Sequence, residues 1–357
     1  MDGMNRRTFA ITGGMLALAT AMPGMAAAVA QGQNAADDLS FVDPELRASA
    51  RAMVELMRTL PPPSTATLPA LRAGGARFAP PRLADIGVEE RRAPVGKGNP
   101  DVGLFVINAR KGGNRPAILH THGGGYIAGS ARDSVGWLQE LAKTLDCVIV
   151  SVEYRLAPET RYTGSVEDTY AGLKWLHAEA ATLGVDRARI ALFGESAGGG
   201  HAARLAITAR DRAEVPVAAQ VLIYPMLDDR TGSTVEMPGR IGTLGWNAAA
   251  NVFGWRSFLG MAPGGADVPS AGVPARVRDL TGLPPAFIGV GGIDLFVSED
   301  VEYGRRLVEA GVPTELLVVP GAYHGFDVVA ANAMPARRFA KAKLNALRRA
   351  FGQPVEL

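Results

Sequence analysis

The sequence predicts a mixed α/β protein built on a mostly parallel sheet with helices on both faces. Three observations lead there. Short, nearly all-apolar runs recur: LFVI at 104–107, AIL at 117–119, CVIVSV at 147–152, IALF at 190–193, VLIY at 221–224, AFIGV at 286–290 and LLVV at 316–319. Such runs suit strands buried on both faces, whereas a half-exposed strand alternates apolar with polar. Longer segments with helical spacing of apolar residues separate them, and helices are the usual crossover between parallel strands. Finally, the 357 residues are 47% hydrophobic and 20% charged, enough to fill a large core, and no internal repeat is visible.

The elements follow in order. "NRRTFA" at 5–10 pairs Arg6 with Arg7, an Ala/Gly/Met-rich stretch runs from Ile11 to Val29, and 26–28 and 28–30 both fit a small-x-small cleavage site. Residues 1–30 are therefore expected to be a twin-arginine-type export signal, giving a periplasmic or secreted protein. Gly13, Gly14, Pro23 and Gly24 disfavour a lasting membrane-spanning helix. Residues 31–60 read as helix from Leu46, Met53, Leu56, Met57 and Leu60, and "LPPPSTATLP" at 60–69 reads as an extended linker. The main α/β domain is expected over 76–357, its strands alternating with helices at 134–145, 167–180, 301–310 and 336–351. Segment 226–284 breaks the rhythm: it is rich in Gly and Pro, carries Trp246, Phe253, Trp255 and Phe258, and reads as an insertion between two strands.

A net charge of +2, with arginines only in short clusters, gives no footprint for nucleic acid. The single cysteine, Cys147, excludes an internal disulfide and a Cys-based metal site, and its apolar surroundings make it a buried strand residue. No cofactor motif is present.

The chemistry centres on "GESAGGG" at 194–200, which follows the run at 190–193. Gly194, Ser196 and Gly198 fit G-x-S-x-G, a sharp strand-to-helix turn that lifts a serine hydroxyl clear of a sheet edge. A hydroxyl needs a base. His177 closes a helical segment and reads as a surface residue, and His201 lies inside the helix after Ser196. His324, in "VVPGAYHGF", stands just past the strand at 316–319, and Asp294 ends "FIGVGGID" just past another. Ser196, Asp294 and His324 come in the chain order of the α/β-hydrolase triad. Glu299 and Asp300 are rival acids, but they read as the acidic first turn of the next helix, placed there for its dipole. "HGGG" at 122–125 follows the strand at 117–119. The backbone N–H groups of Gly123 and Gly124, with that of Ala197, are expected to bind an oxyanion, while His122 pins the loop.

These stretches resemble the hormone-sensitive-lipase-like esterases, the bacterial family IV branch of the α/β hydrolases. The likeness rests on "HTHGGGYIAGS" at 120–130, "VEYRLAPE" at 152–159, "GESAGGG", and "GGIDLFVSED" with "PGAYHGF", spanning about 120–327 and more weakly from about 85 to the C-terminus. It implies an eight-stranded α/β-hydrolase sheet and a helical cap formed from 31–75 and 226–284. It also implies a serine carboxylesterase acting on small esters without cofactor or metal, and a homodimer pairing through the strand at 316–319; the mixed charge and long cap point to short- or medium-chain esters over long-chain lipids. An amidase or lactone hydrolase would use the same triad, and a ligand-binding receptor could occupy a dead hydrolase scaffold. Two departures stand out: Glu195 replaces an Asp common in the family, and "RYTG" at 161–164 replaces Pro-Phe-Pro-Ala.

Overall fold

The computed structural model describes residues 38–75, 79–96 and 98–356. The expected export signal, with Arg6 and Arg7, and residues 31–37 of the first expected helix lie outside the described residues. Among the described residues no helix is long and apolar enough to cross a membrane.

The strands are β1 Val88–Ala93, β2 Val102–Ile107, β3 Arg115–Thr121, β4 Val148–Glu153, β5 Val185–Glu195, β6 Ala219–Ile223, β7 Ala286–Gly291 and β8 Thr314–Val319. They form one sheet in the order β1-β2-β4-β3-β5-β6-β7-β8. β2 pairs antiparallel with β1 and β4, and every pairing from β4 to β8 is parallel. The helices are α1 Arg47–Thr59, α2 Leu68–Gly75, α3 Ala131–Leu145, α4 Tyr162–Ala178, α5 Ala180–Leu183, α6 Ala197–Arg212, α7 Ala248–Leu259, α8 Val297–Glu309, α9 Phe326–Val329 and α10 Met334–Ala350.

Successive residues of the central strands feed opposite cores, which is why the runs are apolar throughout. Leu119, Val150 and Leu192 join Leu173 of α4, Leu205 of α6 and Leu307 of α8 on one face. Their neighbours Ile118, Ile149 and Ala191 join Leu138 of α3 and Phe339 of α10 on the other. Each large side chain buried this way stabilises the fold by about 1.5–3 kcal/mol.

Several elements differ from expectation. Among the described residues the first α-helix begins at Arg47, after a 3-10 turn at Pro44–Leu46 that Pro44 opens and the Asp43 side chain caps, accepting the Glu45 N–H at 2.9 Å. Leu68 and Pro69 of the expected linker already belong to α2. β1, sequence VEERRA, shows no apolar run because it is an exposed edge strand, and charge on an edge discourages pairing with other chains. β8 is the opposite edge. His177 lies in the last turn of α4 with intermediate exposure. Glu299 and Asp300 do lie in the first turn of α8, but both face inward. Glu299 accepts the N–H groups of Leu227 at 2.6 Å and Asp228 at 3.2 Å, and the Thr231 hydroxyl, holding the chain just after β6. Burial pushes the pKa of both carboxyls well up.

His201 of α6 is buried among Tyr126, Tyr154 and Phe258, and neither ring nitrogen has a hydrogen-bond partner among the described residues. Desolvation lowers its pKa from 6.5 to about 3. The unfolded chain therefore binds a proton that the folded chain refuses, and stability contributed by neutral His201 is lost as the pH falls from 6.5 toward 3. Urea unfolding of His201→Leu should accordingly show a weaker dependence on pH between 6 and 4, by up to about 1.4 kcal/mol per pH unit. Identical pH slopes for variant and wild type would contradict this account of His201.

Candidate active site

Because β3, β5, β7 and β8 run parallel, their C-terminal ends lie along one edge of the sheet, where open α/β folds bind ligands. Ser196 follows β5 directly, and Asp294, His324 and the loop from His122 to Gly125 follow β7, β8 and β3.

Ser196 sits at φ 56°, ψ −122°. Its N–H donates to Ile223 O at 2.9 Å, and its carbonyl accepts from Gly200 N at 3.0 Å and Met226 N at 2.9 Å. The chain is too tight there for side chains. A Cβ on Gly194 would stand 2.3 Å from Gly198 O, and one on Gly198 would stand 2.0 Å from Thr121 O. The glycines of the motif thus give the clearance that the sharp turn needs.

The structure brings the three side chains together. His324 Nε2 lies 3.1 Å from Ser196 Oγ, and Nδ1 lies 2.8 Å from Asp294 Oδ2. With Nδ1–H donating to the carboxylate, Nε2 presents its lone pair to the Ser196 hydroxyl. Asp294 is fully buried, and its other oxygen accepts the Phe296 N–H at 3.0 Å. The two loops are tied to each other by Gly292 N donating to Val319 O at 2.7 Å and Ile293 N to Ala322 O at 3.0 Å. The rings of Tyr224 and Phe296 meet the imidazole edge-on at 4.7 and 5.3 Å, restraining its tilt.

Gly123 lies against the nucleophile: a Cβ there would be 3.6 Å from Ser196 Cβ. Gly124 has φ 125°, a conformation that side chains rarely allow. Ala197 opens α6, so its N–H is among those left free by the helix and sits at the positive end of the dipole. His122 is buried, stacks on Tyr154 at 4.1 Å, and its Nδ1 lies 2.9 Å from Gly123 O. Tyr154 Oη in turn donates to His122 O at 2.7 Å. Burial lowers the His122 pKa to about 3, so the ring stays neutral and pins the loop.

Some supporting residues escaped the sequence reading. His120 Nδ1 lies 2.8 Å from Ser151 Oγ, and its Nε2 lies 3.2 Å from Glu195 Oε2. The extra methylene of Glu195 thus has a destination. His120 and Ser151 are aligned partners on β3 and β4, and two polar residues inside otherwise apolar strands were the available signal. Tyr126 is buried, its hydroxyl donating to Met226 O at 2.8 Å, so it joins the glycine loop to the end of β6. Among the described residues no group of three or more His, Cys, Asp or Glu side chains converges as a metal site requires.

The family described as the alpha/beta hydrolase fold matches residues 118–328, more than half of the chain. Among curated proteins, the esterase LipI of Mycobacterium tuberculosis is 35% identical over 219 residues, covering 59% of this chain and 65% of LipI. The carboxylesterase NlhH of the same species is 35% identical over 222 residues, covering 60% of this chain and 67% of NlhH. The matched segment thus spans about two thirds of those relatives. Among solved structures, a bacterial heroin esterase superposes with a TM-score of 0.79 at 38% identity, over 88% of this chain and 99% of that one. Esterase LipW from Mycobacterium marinum superposes with a TM-score of 0.72 at 30% identity, over 88% and 98%. On this match, and with the motifs seated along one sheet edge, the chain belongs to the α/β-hydrolase family, in its hormone-sensitive-lipase-like branch.

Proposed function

We propose that the protein is a serine carboxylesterase that cleaves small carboxylic esters through an acyl-enzyme. The observation that carries this reading is the unbroken chain from the Ser196 hydroxyl through His324 to the buried Asp294, at 3.1 and 2.8 Å. Ser196 Oγ attacks the ester carbonyl carbon as its proton passes to His324 Nε2. The carbonyl oxygen takes the negative charge and accepts hydrogen bonds from the N–H groups of Gly123, Gly124 and Ala197, each such donor being worth about 3–4 kcal/mol of barrier. Asp294 stabilises the imidazolium that forms. His324 then returns the proton to the departing alkoxide oxygen, and the C–O bond to the alcohol breaks. Water, deprotonated by His324, attacks the acyl carbon. The bond to Oγ breaks, the proton returns to Ser196, and the acid leaves. The esterase and carboxylesterase names of the relatives support ester over amide as the substrate bond.

The test is direct. A fluorophosphonate should label the wild type at Ser196, and Ser196→Ala should take no label and lose about a million-fold in kcat on p-nitrophenyl acetate. A folded wild type that resists the label, or a Ser196→Ala variant that keeps its activity, would end this reading. Asp294→Asn should lower kcat by about ten-thousand-fold, because the amide favours the wrong imidazole tautomer. Tyr154→Phe removes the hydroxyl that holds the His122 carbonyl and leaves a buried acceptor unpaired. Loosening the donors next to it should lower kcat by about tenfold while KM changes little, as expected of an interaction felt in the transition state. Steady-state kinetics on p-nitrophenyl acetate reads both numbers.

A further inference from the structure

Segment 242–246, GTLGW, lies in the insertion between β6 and β7 and crosses the whole site. It starts on the acid's loop: Gly242 N donates to Ile293 O at 3.0 Å, and a Cβ on Gly242 would stand 2.5 Å from Leu295 Cδ1. It continues over the base: a Cβ on Gly245 would stand 2.7 Å from His324 O and 3.1 Å from His324 Cβ. It ends on the oxyanion loop: a Cβ on Gly125 would stand 2.3 Å from Trp246 Cη2. Five consecutive residues therefore touch acid loop, base and oxyanion loop in that order.

The indole at the end of this strap is held in place. Trp246 Nε1 donates to Asn251 Oδ1 at 3.1 Å, and the fully buried Asn251 donates through Nδ2 to Thr231 O at 2.8 Å. Gly254 lets α7 lie close to the oxyanion loop beside the ring, since a Cβ there would stand 2.7 Å from Gly125 O. Part of Trp246 stays exposed while the rest packs in the cluster that includes Tyr126, Ala197 and Leu295.

The stereochemistry of the intermediate decides what the ring would meet. This step rests on the esterase reading. The tetrahedral carbon carries Ser196 Oγ, the oxyanion, the alcohol oxygen and the acyl chain. The alcohol oxygen must lie at His324 Nε2 to receive its proton, and the oxyanion must face Gly123, Gly124 and Ala197. The acyl chain is left to run away from the imidazole, and the indole against Gly125 is the large side chain that the strap sets beside the oxyanion loop. We propose that Trp246 is a specificity-determining residue, the wall that restricts the acid part of the substrate to short chains.

Two ester series test this on the full-length protein: p-nitrophenyl esters from acetate to decanoate, and acetates of alcohols of increasing length. In Trp246→Ala, kcat/KM for octanoate relative to acetate should rise by about ten- to a hundredfold, and less in Trp246→Phe, because filling or opening a pocket by a few methylenes changes selectivity by such factors. The ranking of the alcohol series should stay as in the wild type. Fluorophosphonate labelling to the wild-type extent shows that the site of each variant is assembled, and Trp246→Phe carries the comparison if the alanine variant does not fold. An acyl profile that does not move, or an alcohol profile that moves in its place, would overturn the proposal while leaving the esterase reading intact. A wild type that neither takes the label nor cleaves acetate would overturn the esterase reading itself, and this proposal with it.

Discussion

Ser196 holds a backbone conformation, φ 56° and ψ −122°, that costs an L-residue on the order of 1–3 kcal/mol. The architecture around it makes that conformation the one that pairs its backbone. The N–H and carbonyl of Ser196 make three hydrogen bonds to Ile223, Gly200 and Met226, and relaxing φ would break them inside a region sealed from water. The same turn aims the hydroxyl past the end of β5 and starts α6 beneath it, so nucleophile, helix dipole and the Ala197 N–H come from one local geometry. Sheet order, loop contacts and glycine positions then become consequences of having to pack around that turn.

Several buried polar side chains around the turn are paired with one another or with the backbone. Glu195 meets His120, His120 meets Ser151, Tyr154 holds the carbonyl of His122, and Tyr126 holds that of Met226. Glu299 does the same from α8 for the backbone just after β6. Since a lost partner in such a place costs about 1–3 kcal/mol, these bonds keep the loops from drifting. Functional loops would otherwise be the most mobile parts of the chain. The acid and base loops are joined backbone to backbone, which fixes Asp294 and His324 relative to each other. Tyr323 extends that frame to the N-terminal region, its hydroxyl bonding to Ser49 of α1 at 2.8 Å.

Much of this was legible beforehand. The strands of the parallel sheet were legible because burial on both faces leaves unbroken apolar runs, and the motif at 194–200 because a sharp turn this close-packed admits only glycine at its flanks. β1 was invisible for the opposite reason, since an exposed edge strand carries VEERRA and no hydrophobic pattern. Glu299 and Asp300 read as the ordinary acidic start of a helix, and no one-dimensional pattern separates an acidic side chain that meets water from one that faces the core.

The chain alone determined which residue types stand at which strand ends: a serine between glycines after β5, an acid after β7, a histidine after β8, a glycine loop after β3. These follow from local periodicity and backbone sterics, which act over a few residues. Only the folded molecule decided that His120 answers Glu195, that Tyr154 pins the oxyanion loop, and that Trp246 reaches from the insertion across to Gly125. Such contacts join residues that lie tens to more than a hundred positions apart. Their energies depend on the relative placement of whole elements, and nothing in the neighbouring sequence encodes that placement.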